Sequence, residues 1–230
     1  MVIGTVLALT LRPARTLAPA PVASARAAAG AGLEGDLHAD PRSPRQLLLA
    51  GAAVYQELAL HAHALGENLL LDLDTSPLVS GTLLQIGPEV RLRLMFQCEA
   101  CGQLDAIRPG LARALGARRG MLARVVAGGA LRVGDTVRDL GRLAPPWPDD
   151  WRERVRRVLD AMPPGAVLEY RQLARLAGIQ SSYCRAFPRL LAKFGPAYAA
   201  RAVPAGASAG APRWQGEGLF DLPPDASGAG

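Results

Sequence analysis

The residues best suited to chemistry lie close together near the middle of the chain. Cys98 and Cys101 have the spacing C-x-x-C and follow an alternating run, residues 90–94, that predicts a β-strand. A thiolate is a soft metal ligand and a nucleophile, and nearby cations lower the pKa of its thiol. Arg118 and Arg119 form a basic turn further along the chain. A thiol at a strand end that faces a basic loop is suited to holding an anionic cofactor.

A glycine-rich loop lies earlier in the chain, at residues 30–36, where the sequence GAGLEGD includes Gly35 and Asp36. Glycines allow backbone N–H groups to come close to a phosphate or another oxyanion. The loop matches neither a Walker loop nor a dinucleotide-binding fingerprint, because no Lys-Ser or Lys-Thr pair follows and no helix is predicted at its end. An ordinary turn is the alternative interpretation.

Strands separated by glycine turns dominate the first part of the chain. Residues 2–11 predict the first strand, and further apolar segments recur at the spacing of about 8–12 residues that is typical of barrel-like β domains. Helices are predicted at residues 52–64 and 109–115. His61 and His63 lie two residues apart, so they point to different sides of a helix, and no shared metal site is expected.

The last third of the chain has a helical pattern and follows a proline-rich linker at residues 142–148. Ser181 and Ser182 can cap the third of its helices. Two short helices joined by a glycine-containing turn are typical of a helix-turn-helix. The predicted helices span residues 151–162, 171–177 and 183–194, and the last carries Arg185, Arg189 and Lys193.

The net charge of +6 is unevenly distributed. Residues 1–141 contain 14 arginines against 12 acidic residues, whereas residues 142–222 contain 12 basic residues against 7 acidic ones. The second part is therefore favoured as the partner of a polyanion, with an ordinary solvated basic face as the alternative. Lys193 is the single lysine among 26 basic residues, which indicates a GC-rich coding sequence, so the number of arginines alone does not indicate nucleic-acid binding.

The number of cysteines and the lack of long apolar runs predict a cytoplasmic protein. Three cysteines fit a reducing compartment better than a disulfide framework. The first residues superficially resemble a signal peptide, but no basic segment precedes the short apolar run, which is interpreted as a strand. No run approaches the roughly 18 apolar residues that cross a membrane, so no membrane partner is expected.

The first part of the chain resembles the MOSC family, the C-terminal domain of molybdenum cofactor sulfurases, over roughly residues 3–138. The matching segments come in the family's order. They are residues 32–38 (GLEGDLH), 45–46 (RQ), 66–69 (GENL), 81 (G), 86–87 (IG), 99–104 (EACGQL), 118–120 (RRG), 128–129 (GG) and 134–135 (GD).

This resemblance implies a β-barrel whose cysteine, here Cys101, carries sulfur or ligates molybdenum. It implies that the molybdenum cofactor is bound by residues in the matching segments, namely Cys101, Arg118, Arg119, Gly35, Asp36 and Asn68. Ala100 stands where the family usually has proline. Cys98 is additional to the family pattern, so a redox or metal role for the C-x-x-C pair stays open. An inert buried cysteine is the alternative for Cys101.

The second part, from Trp151 to about Phe220, resembles the DNA-binding domain of alkylguanine-DNA alkyltransferases, and more closely their alkyltransferase-like relatives. The matching segments are residues 151–155 (WRERV), 162–170 (MPPGAVLEY), 173–178 (LARLAG) and 183–187 (YCRAF). The family's Pro-Cys-His-Arg motif corresponds to residues 198–201, where Ala199 and Ala200 replace the cysteine and the histidine. Methyl transfer is then excluded, because alanine offers no nucleophile and no proton to shuttle.

What the second resemblance implies is DNA recognition without repair. Arg185 would fill the gap left by a flipped nucleotide, and Tyr170 would help to rotate the phosphate. Arg189 and Lys193 are expected near the DNA backbone. The other DNA-binding candidates are Ser181, Ser182 and Arg201. A helical domain that contacts another protein is the alternative.

Together the two resemblances predict an α+β protein with a MOSC-type β-barrel at residues 1–141, the linker at 142–148, a small helical winged helix-turn-helix domain at 149–222 and a disordered tail at 223–230. The barrel would bind molybdenum cofactor, or exchange sulfur with a donor or acceptor protein, and the second domain would bind DNA, alkylated DNA included. The alternative is a molybdenum-dependent reductase of N-hydroxylated bases, with the second domain as a nucleic-acid or protein adaptor. In a third interpretation both domains serve only as interaction surfaces.

Overall fold

A computed structural model describes residues 1–207 and 210–223 of the chain. The chain divides into two compact units, one formed by residues 1–41 and 45–147, the other by residues 42–44 and the chain from Pro148 onward. The strands are β1 (Val2–Leu11), β2 (Ala20–Val22), β3 (Ser24–Ala28), β4 (Gly32–Leu33), β5 (Leu47–Gly51), β6 (Leu69–Leu71), β7 (Thr82–Ile86), β8 (Val90–Gln97), β9 (Met121–Ala127), β10 (Gly129–Arg132), β11 (Thr136–Arg142), β12 (Leu168–Glu169) and β13 (Ala202–Val203). The helices are α1 (Ala53–Glu57), α2 (Leu111–Leu115), α3 (Trp151–Asp160), α4 (Tyr170–Ala177), α5 (Phe187–Phe194) and α6 (Pro196–Ala199), with 3₁₀ helices at Gly116–Arg119 and Ser181–Ala186.

Seven strands of the first unit close into a mixed β-barrel, as the spacing of the apolar segments predicts. They follow the order β11-β7-β8-β9-β5-β6-β1, and the pairing of β1 with β11 completes the ring. Only β5 and β6 pair in parallel, and all other neighbours in the ring are antiparallel. A closed ring leaves its strands without free edges. The strand β2 pairs antiparallel with the end of β1. The strands β10, β3 and β4 form a separate small sheet.

The barrel encloses an aliphatic core, and a second, smaller apolar cluster lies beside it. The smaller cluster consists of Ala50, Val54, Leu65, Leu104, Leu111 and Leu115. Burying a leucine or valine side chain contributes about 1.5–3 kcal/mol. This cluster joins the end of β5 and helix α1 to the segment that follows the two cysteines. It therefore fixes that segment although few of its residues lie in regular structure.

The proline-rich segment at residues 142–148 is packed against the barrel. The backbone N–H of Ala144 donates to the carbonyl of Gly81, 3.0 Å away. Trp147 is buried, and the backbone N–H of this residue donates to Ser80 Oγ at 2.7 Å. The barrel unit therefore extends to Trp147, and the prolines mark an ordered connection.

Two predicted helices differ in the structure. The prediction of one helix over residues 52–64 is wrong beyond Glu57, since Ala59 and His63 have φ angles of 45° and 62°, which a right-handed helix cannot contain. The prediction of one α-helix over residues 183–194 is also wrong in its first half. There the chain forms the 3₁₀ helix, and α5 begins only at Phe187, because Pro188 has no N–H to donate to the preceding turn.

The second unit is helical, and a buried arginine holds its first two helices together. The guanidinium of Arg154 donates to the carbonyls of Ala177, Pro148 and Asp149 at 2.9, 3.1 and 2.5 Å. Ala177 ends α4, where the helix dipole favours a positive charge. The cap of α3 is Asp150, whose Oδ1 accepts from Arg152 N at 2.6 Å.

The wing of the predicted winged helix-turn-helix is not found in the described part of the second unit. The two short strands of this unit, β12 and β13, pair in parallel and do not form the antiparallel hairpin of a wing. Ser181 and Ser182 lie inside the 3₁₀ helix, and neither that helix nor α5 has a side-chain cap. Most of the predicted tail, residues 224–230, lies outside the described residues. No helix in the described ranges is both long enough and apolar enough to span a membrane.

Replacing Gly120 by alanine should destabilise the barrel. Gly120 has a φ of 128°, and a Cβ at this position would overlap the carbonyl oxygen of Leu49. We expect the free energy of unfolding to fall by about 3 kcal/mol or more, as measured by urea denaturation. Gly116→Ala is the control, because Gly116 also has a positive φ but nothing lies within 4 Å of the added atom. Equal losses in the two variants would show that the contact with Leu49 has no effect.

Candidate functional site

The two cysteines lie on an irregular loop that leaves the end of β8. The backbone N–H of Cys98 donates to the carbonyl of Gly120 at 2.8 Å, which holds the start of the loop beside the start of β9. The carbonyl of Cys101 accepts from Leu104 N at 3.0 Å, and the Leu104 side chain is buried in the smaller apolar cluster. The loop is therefore anchored on both sides of Cys101.

Arg119 joins the loop to the sulfur of Cys101. Its Nη1 donates to the carbonyl oxygen of Glu99 at 2.7 Å and lies 3.2 Å from Cys101 Sγ. Partial burial raises the pKa of the Cys101 thiol, but the backbone N–H of Gln103 and the Arg119 guanidinium together lower it by more. The pKa of Cys101 therefore lies below its ordinary value, and the thiolate is favoured.

One donor of Arg119 is available for a ligand. Its Nε is buried and has no hydrogen-bond partner among the described residues. A buried donor without a partner costs free energy, and a bound acceptor would recover it. The site thus places a thiol of lowered pKa beside a cationic donor that is not used by the described residues.

The other two cysteines have different surroundings. The Cys98 residue is only 2% exposed, and its Sγ lies 3.8 Å from Nη2 of Arg45. Burial raises the pKa of Cys184, which lies in the 3₁₀ helix of the second unit. Cys101 thus combines a lowered thiol pKa with a partly exposed side chain.

Arg118 points to a different partner. It forms an ion pair with Glu57, and its Nη2 donates to the carbonyl of Ala114 at 3.0 Å. The structure therefore brings Arg119 to the sulfur and places Arg118 against α1. Arg45 and Gln103 have no predicted role, although both lie in segments that carry the MOSC resemblance.

Asp36 and Asn68 form a buried network that holds the glycine-rich loop to the barrel. Asp36 Oδ2 accepts from Arg12 N at 2.9 Å and from Asn68 Nδ2 at 3.0 Å, and its Oδ1 accepts from His38 N at 2.8 Å. Asn68 Oδ1 accepts from Leu48 N at 3.1 Å. Burial raises the pKa of Asp36, but the hydrogen bonds from His38 and from Arg12 N together lower it by more. The pKa of Asp36 is therefore below its ordinary value, and the carboxylate stays ionised.

This network uses the carboxylate oxygens for the protein's own hydrogen bonds. Gly35 precedes Asp36 in an exposed turn with a φ of 79°, a conformation that favours glycine. The structure thus places Gly35, Asp36 and Asn68 around one anchored loop. The contacts of Asp36 and Asn68 in the described structure explain how that loop is positioned.

The histidines do not form a metal site in the described ranges. His63 Nδ1 lies 2.8 Å from Thr10 Oγ1 and 3.5 Å from Glu67 Oε1, and Tyr55 donates its hydroxyl to the same carboxylate. Within residues 1–207 and 210–223, no group of three or more His, Cys, Asp or Glu side chains could hold a metal ion.

Three of the proposed DNA contacts lie exposed on consecutive elements of the second unit. Arg185 is in the 3₁₀ helix, and Arg189 and Lys193 are on α5, four residues apart and thus on one side of it. Ser181 and Ser182 are exposed in the same 3₁₀ helix. This surface, made of these five residues, is named the basic ridge.

Tyr170 and Arg201 make contacts inside the second unit. Tyr170 begins α4, is half-buried, and meets the ring of Phe187 edge to face with 5.6 Å between the centroids. Arg201 Nη1 donates to the carbonyl of Leu159 at 2.6 Å. Both side chains therefore help to join the helices of this unit.

The segment that carries the cysteine loop is similar to a known protein family. Residues 45–138 match the family model of the MOSC domain. The matched segment includes the cysteine loop, both arginines of the 3₁₀ helix and Asn68. No curated protein matches the chain.

The chain is similar to several solved structures at low sequence identity. A structure described as a hypothetical protein is 19% identical, with a TM-score of 0.53, and the alignment covers 82% of this chain and 90% of that one. YiiM from Escherichia coli is 18% identical, with a TM-score of 0.49, and 81% and 92% of the two chains are covered. YuaD from Bacillus subtilis is 20% identical, with a TM-score of 0.49 and coverage of 58% and 93%.

The first of these neighbours extends past the barrel. Its alignment covers more of the chain than the barrel unit, which ends at Trp147 of 230 residues. Part of the helical unit therefore has a structural counterpart in a protein of this fold. The family match and the three named neighbours give no support to the alkyltransferase-like resemblance of residues 149–222.

Replacing Arg119 by glutamine should raise the pKa of Cys101, because the guanidinium that stabilises the thiolate is removed. The rate of alkylation of Cys101 by iodoacetamide, followed by peptide mass spectrometry as a function of pH, should shift to higher pH. Arg118→Gln is the matched control and should leave this profile unchanged, since Arg118 pairs with Glu57. The assignment is wrong if the control shifts the profile as much as Arg119→Gln does.

Proposed function

We propose that the barrel unit binds the molybdenum cofactor and that Cys101 Sγ is the protein's ligand to the metal. MOSC domains are linked to molybdenum cofactor-related sulfur or reductase activity. The observation that carries the proposal is the contact of Arg119 with Cys101 Sγ, together with the lowered pKa of that thiol. A thiolate is a soft ligand that suits a metal of this kind.

The residues around the sulfur fit an anionic cofactor. Arg119 Nε, buried and unpartnered in the described structure, can donate to an anionic oxygen of the group. Arg118, next in sequence, supplies a second cation that stays paired with Glu57. We assign Gly35, Asp36 and Asn68 the task of positioning their loop, since Asp36 and Asn68 already hydrogen-bond to the protein itself.

The chain's own part in this function is to keep a sulfur ionised and in place. The bound cofactor would supply two-electron redox chemistry at its metal. Cys101 would donate a sulfur lone pair, and Arg119 would compensate the negative charge while holding the loop through Glu99. Substrate reduction, such as that of N-hydroxylated bases, is one use of such a site.

Sulfur carriage is the second candidate for the same atom. A persulfide on Cys101 carries its negative charge on the outer sulfur, one bond beyond Sγ, and the donors from Arg119 and Gln103 that lower the pKa of the thiol would also favour this charge. Its partner would be a protein that donates or accepts the sulfur.

Metal content tests the cofactor proposal. Protein purified from a molybdenum-replete host should contain molybdenum, as measured by inorganic mass spectrometry. Cys101→Ser should lower the content about tenfold or more, because oxygen is a harder ligand. Cys98→Ser is the matched control and should retain the metal.

Other outcomes separate the two candidates. A wild-type protein without molybdenum but with an extra mass of about 32 Da on Cys101, removed by a reducing thiol, would favour sulfur carriage. Neither molybdenum nor bound sulfur would contradict the proposed function of the barrel.

For the second unit we propose DNA binding through the basic ridge. The favouring observation is that Arg185, Arg189 and Lys193 are all exposed on adjoining elements, in the part of the chain with the higher positive charge. Arg189 and Lys193 would contact phosphates. Arg185 would enter the space left by an extruded base, for which an alkylated base is favoured because it unstacks more easily.

Changing the ridge should separate these roles. Arg189→Ala and Lys193→Ala should weaken binding of the full chain to every duplex and reduce the log–log salt slope by about 0.9 for each phosphate contact. Arg185→Ala should weaken binding to a duplex with a methylated guanine more than to an intact one. Fluorescence anisotropy at two salt concentrations measures both effects.

Arg138→Ala is the control, since it removes an exposed arginine from the barrel unit. It should change the affinity less than twofold, because Arg138 is not part of the basic ridge. Absence of DNA binding by the wild-type chain would contradict the proposal and favour a protein-interaction role.

A further inference from the structure

We propose that Cys98 is the resolving thiol of Cys101: when a hydroperoxide oxidises Cys101, Cys98 closes a reversible disulfide with it. The inference rests on the proposed function, because it takes Cys101 as the reactive sulfur. It adds a covalent partner and a form of regulation to that site. The disulfide would engage the sulfur that otherwise ligates metal or carries sulfur.

The two thiols differ in their access to an oxidant. Cys101 is partly exposed, whereas Cys98, which directly follows β8, is 2% exposed. An oxidant from solvent therefore meets Cys101 first. The C-x-x-C spacing is the one that disulfide oxidoreductases use, and both cysteines are free thiols here.

The loop between the thiols can accommodate their approach. Residues 98–101 belong to no helix or strand, so no ladder of hydrogen bonds must break. Next to Cys101, a side chain added to Gly102 would meet nothing within 4 Å, so this part of the loop has open space. The anchor at Cys98 N, bonded to Gly120, fixes one sulfur while the segment with Cys101 adjusts.

A guanidinium lies beside each sulfur. Arg119 Nη1 is 3.2 Å from Cys101 Sγ, and Arg45 Nη2 is 3.8 Å from Cys98 Sγ. In both steps the attacking sulfur reacts as a thiolate, and a neighbouring cation stabilises the negative charge of that thiolate. Each thiol of the pair therefore has a cation of its own.

The reaction has two balanced steps. In the first, Cys101 sulfur attacks the peroxide, a sulfur–oxygen bond forms, the oxygen–oxygen bond breaks, and an alcohol or water leaves with the thiol's proton. In the second, Cys98 sulfur attacks the sulfenic sulfur, the disulfide forms, and the hydroxide leaves as water with the proton of Cys98. An external thiol returns both cysteines to the reduced state.

Trypsin places the pair and the third cysteine on separate peptides. Because Pro109 follows Arg108, cleavage yields one peptide of residues 94–113 with Cys98 and Cys101, and another of residues 176–185 with Cys184. The full-length protein is reduced, desalted, treated with a small excess of hydrogen peroxide, and digested after its remaining thiols are blocked. Dimedone, which traps sulfenic acid, is present in a parallel sample.

In the wild type, free thiols should fall from three to one. The 94–113 peptide should lose about 2 Da, the mass of two hydrogens, and regain it with reductant. Cys98→Ser should instead give a dimedone adduct on Cys101 and then an irreversible gain of about 32 Da, the sulfinic acid. Cys184→Ser is the matched control and should still form the disulfide.

Two results would overturn the inference in distinguishable ways. A dimedone adduct or a sulfinic acid on Cys101 of the wild type, with Cys98 still a free thiol, would refute the resolving role and leave the proposed function intact. An unmodified Cys101 in both the wild type and Cys98→Ser would show that this sulfur is not reactive, and would contradict the inference and its basis together.

Discussion

The structure of the candidate site depends on a single nitrogen. Nη1 of Arg119 donates to the carbonyl of Glu99 and also lies against the sulfur of Cys101, so one cation shapes the loop and sets the charge of its thiol. A loop of this length has no ladder of hydrogen bonds of its own. Without that cation the loop would lose its hydrogen bond at Glu99, and the thiol would lose a donor that favours its ionisation.

The barrel provides the rigid frame that this interaction requires. Arg119 ends a 3₁₀ helix directly before β9, while the cysteine loop leaves β8, and these two strands are paired along their length. Gly120 lies between the 3₁₀ helix and β9, and its carbonyl accepts from Cys98 N, which keeps the cysteine loop close to Arg119. The smaller apolar cluster also holds the loop, because the buried side chain of Leu104 belongs to it. Strand pairing, local hydrogen bonds and packing therefore converge on one sulfur.

Some of this arrangement could be predicted from the sequence. The alternating apolar runs and glycine turns predict a barrel, and the matching segments indicate the family and its cysteine. The sequence could not decide between Arg118 and Arg119, because successive residues of a 3₁₀ helix lie about 120° apart and point to different partners. Nor could it show that the hydrogen bonds of Asp36 are made within the protein.

The helical errors have identifiable causes. The apolar pattern after residue 52 suits a helix, but Ala59 and His63 adopt left-handed conformations that end it. Pro188, by contrast, was visible in the sequence and marks the point where the α-helix begins. The basic ridge lies on the 3₁₀ helix and α5, within the segment that the sequence assigns to the helix-turn-helix.

The central claim is that Cys101 is the reactive sulfur of this protein, and competitive alkylation tests it most directly. The reduced full-length chain is treated at neutral pH with less iodoacetamide than thiol, and the label is located by fragmentation of the tryptic peptides. We predict that Cys101 is labelled first, because its thiolate is stabilised and partly exposed, while burial raises the pKa of Cys184 and shields Cys98. Labelling of Cys184 or Cys98 ahead of Cys101 would contradict the account.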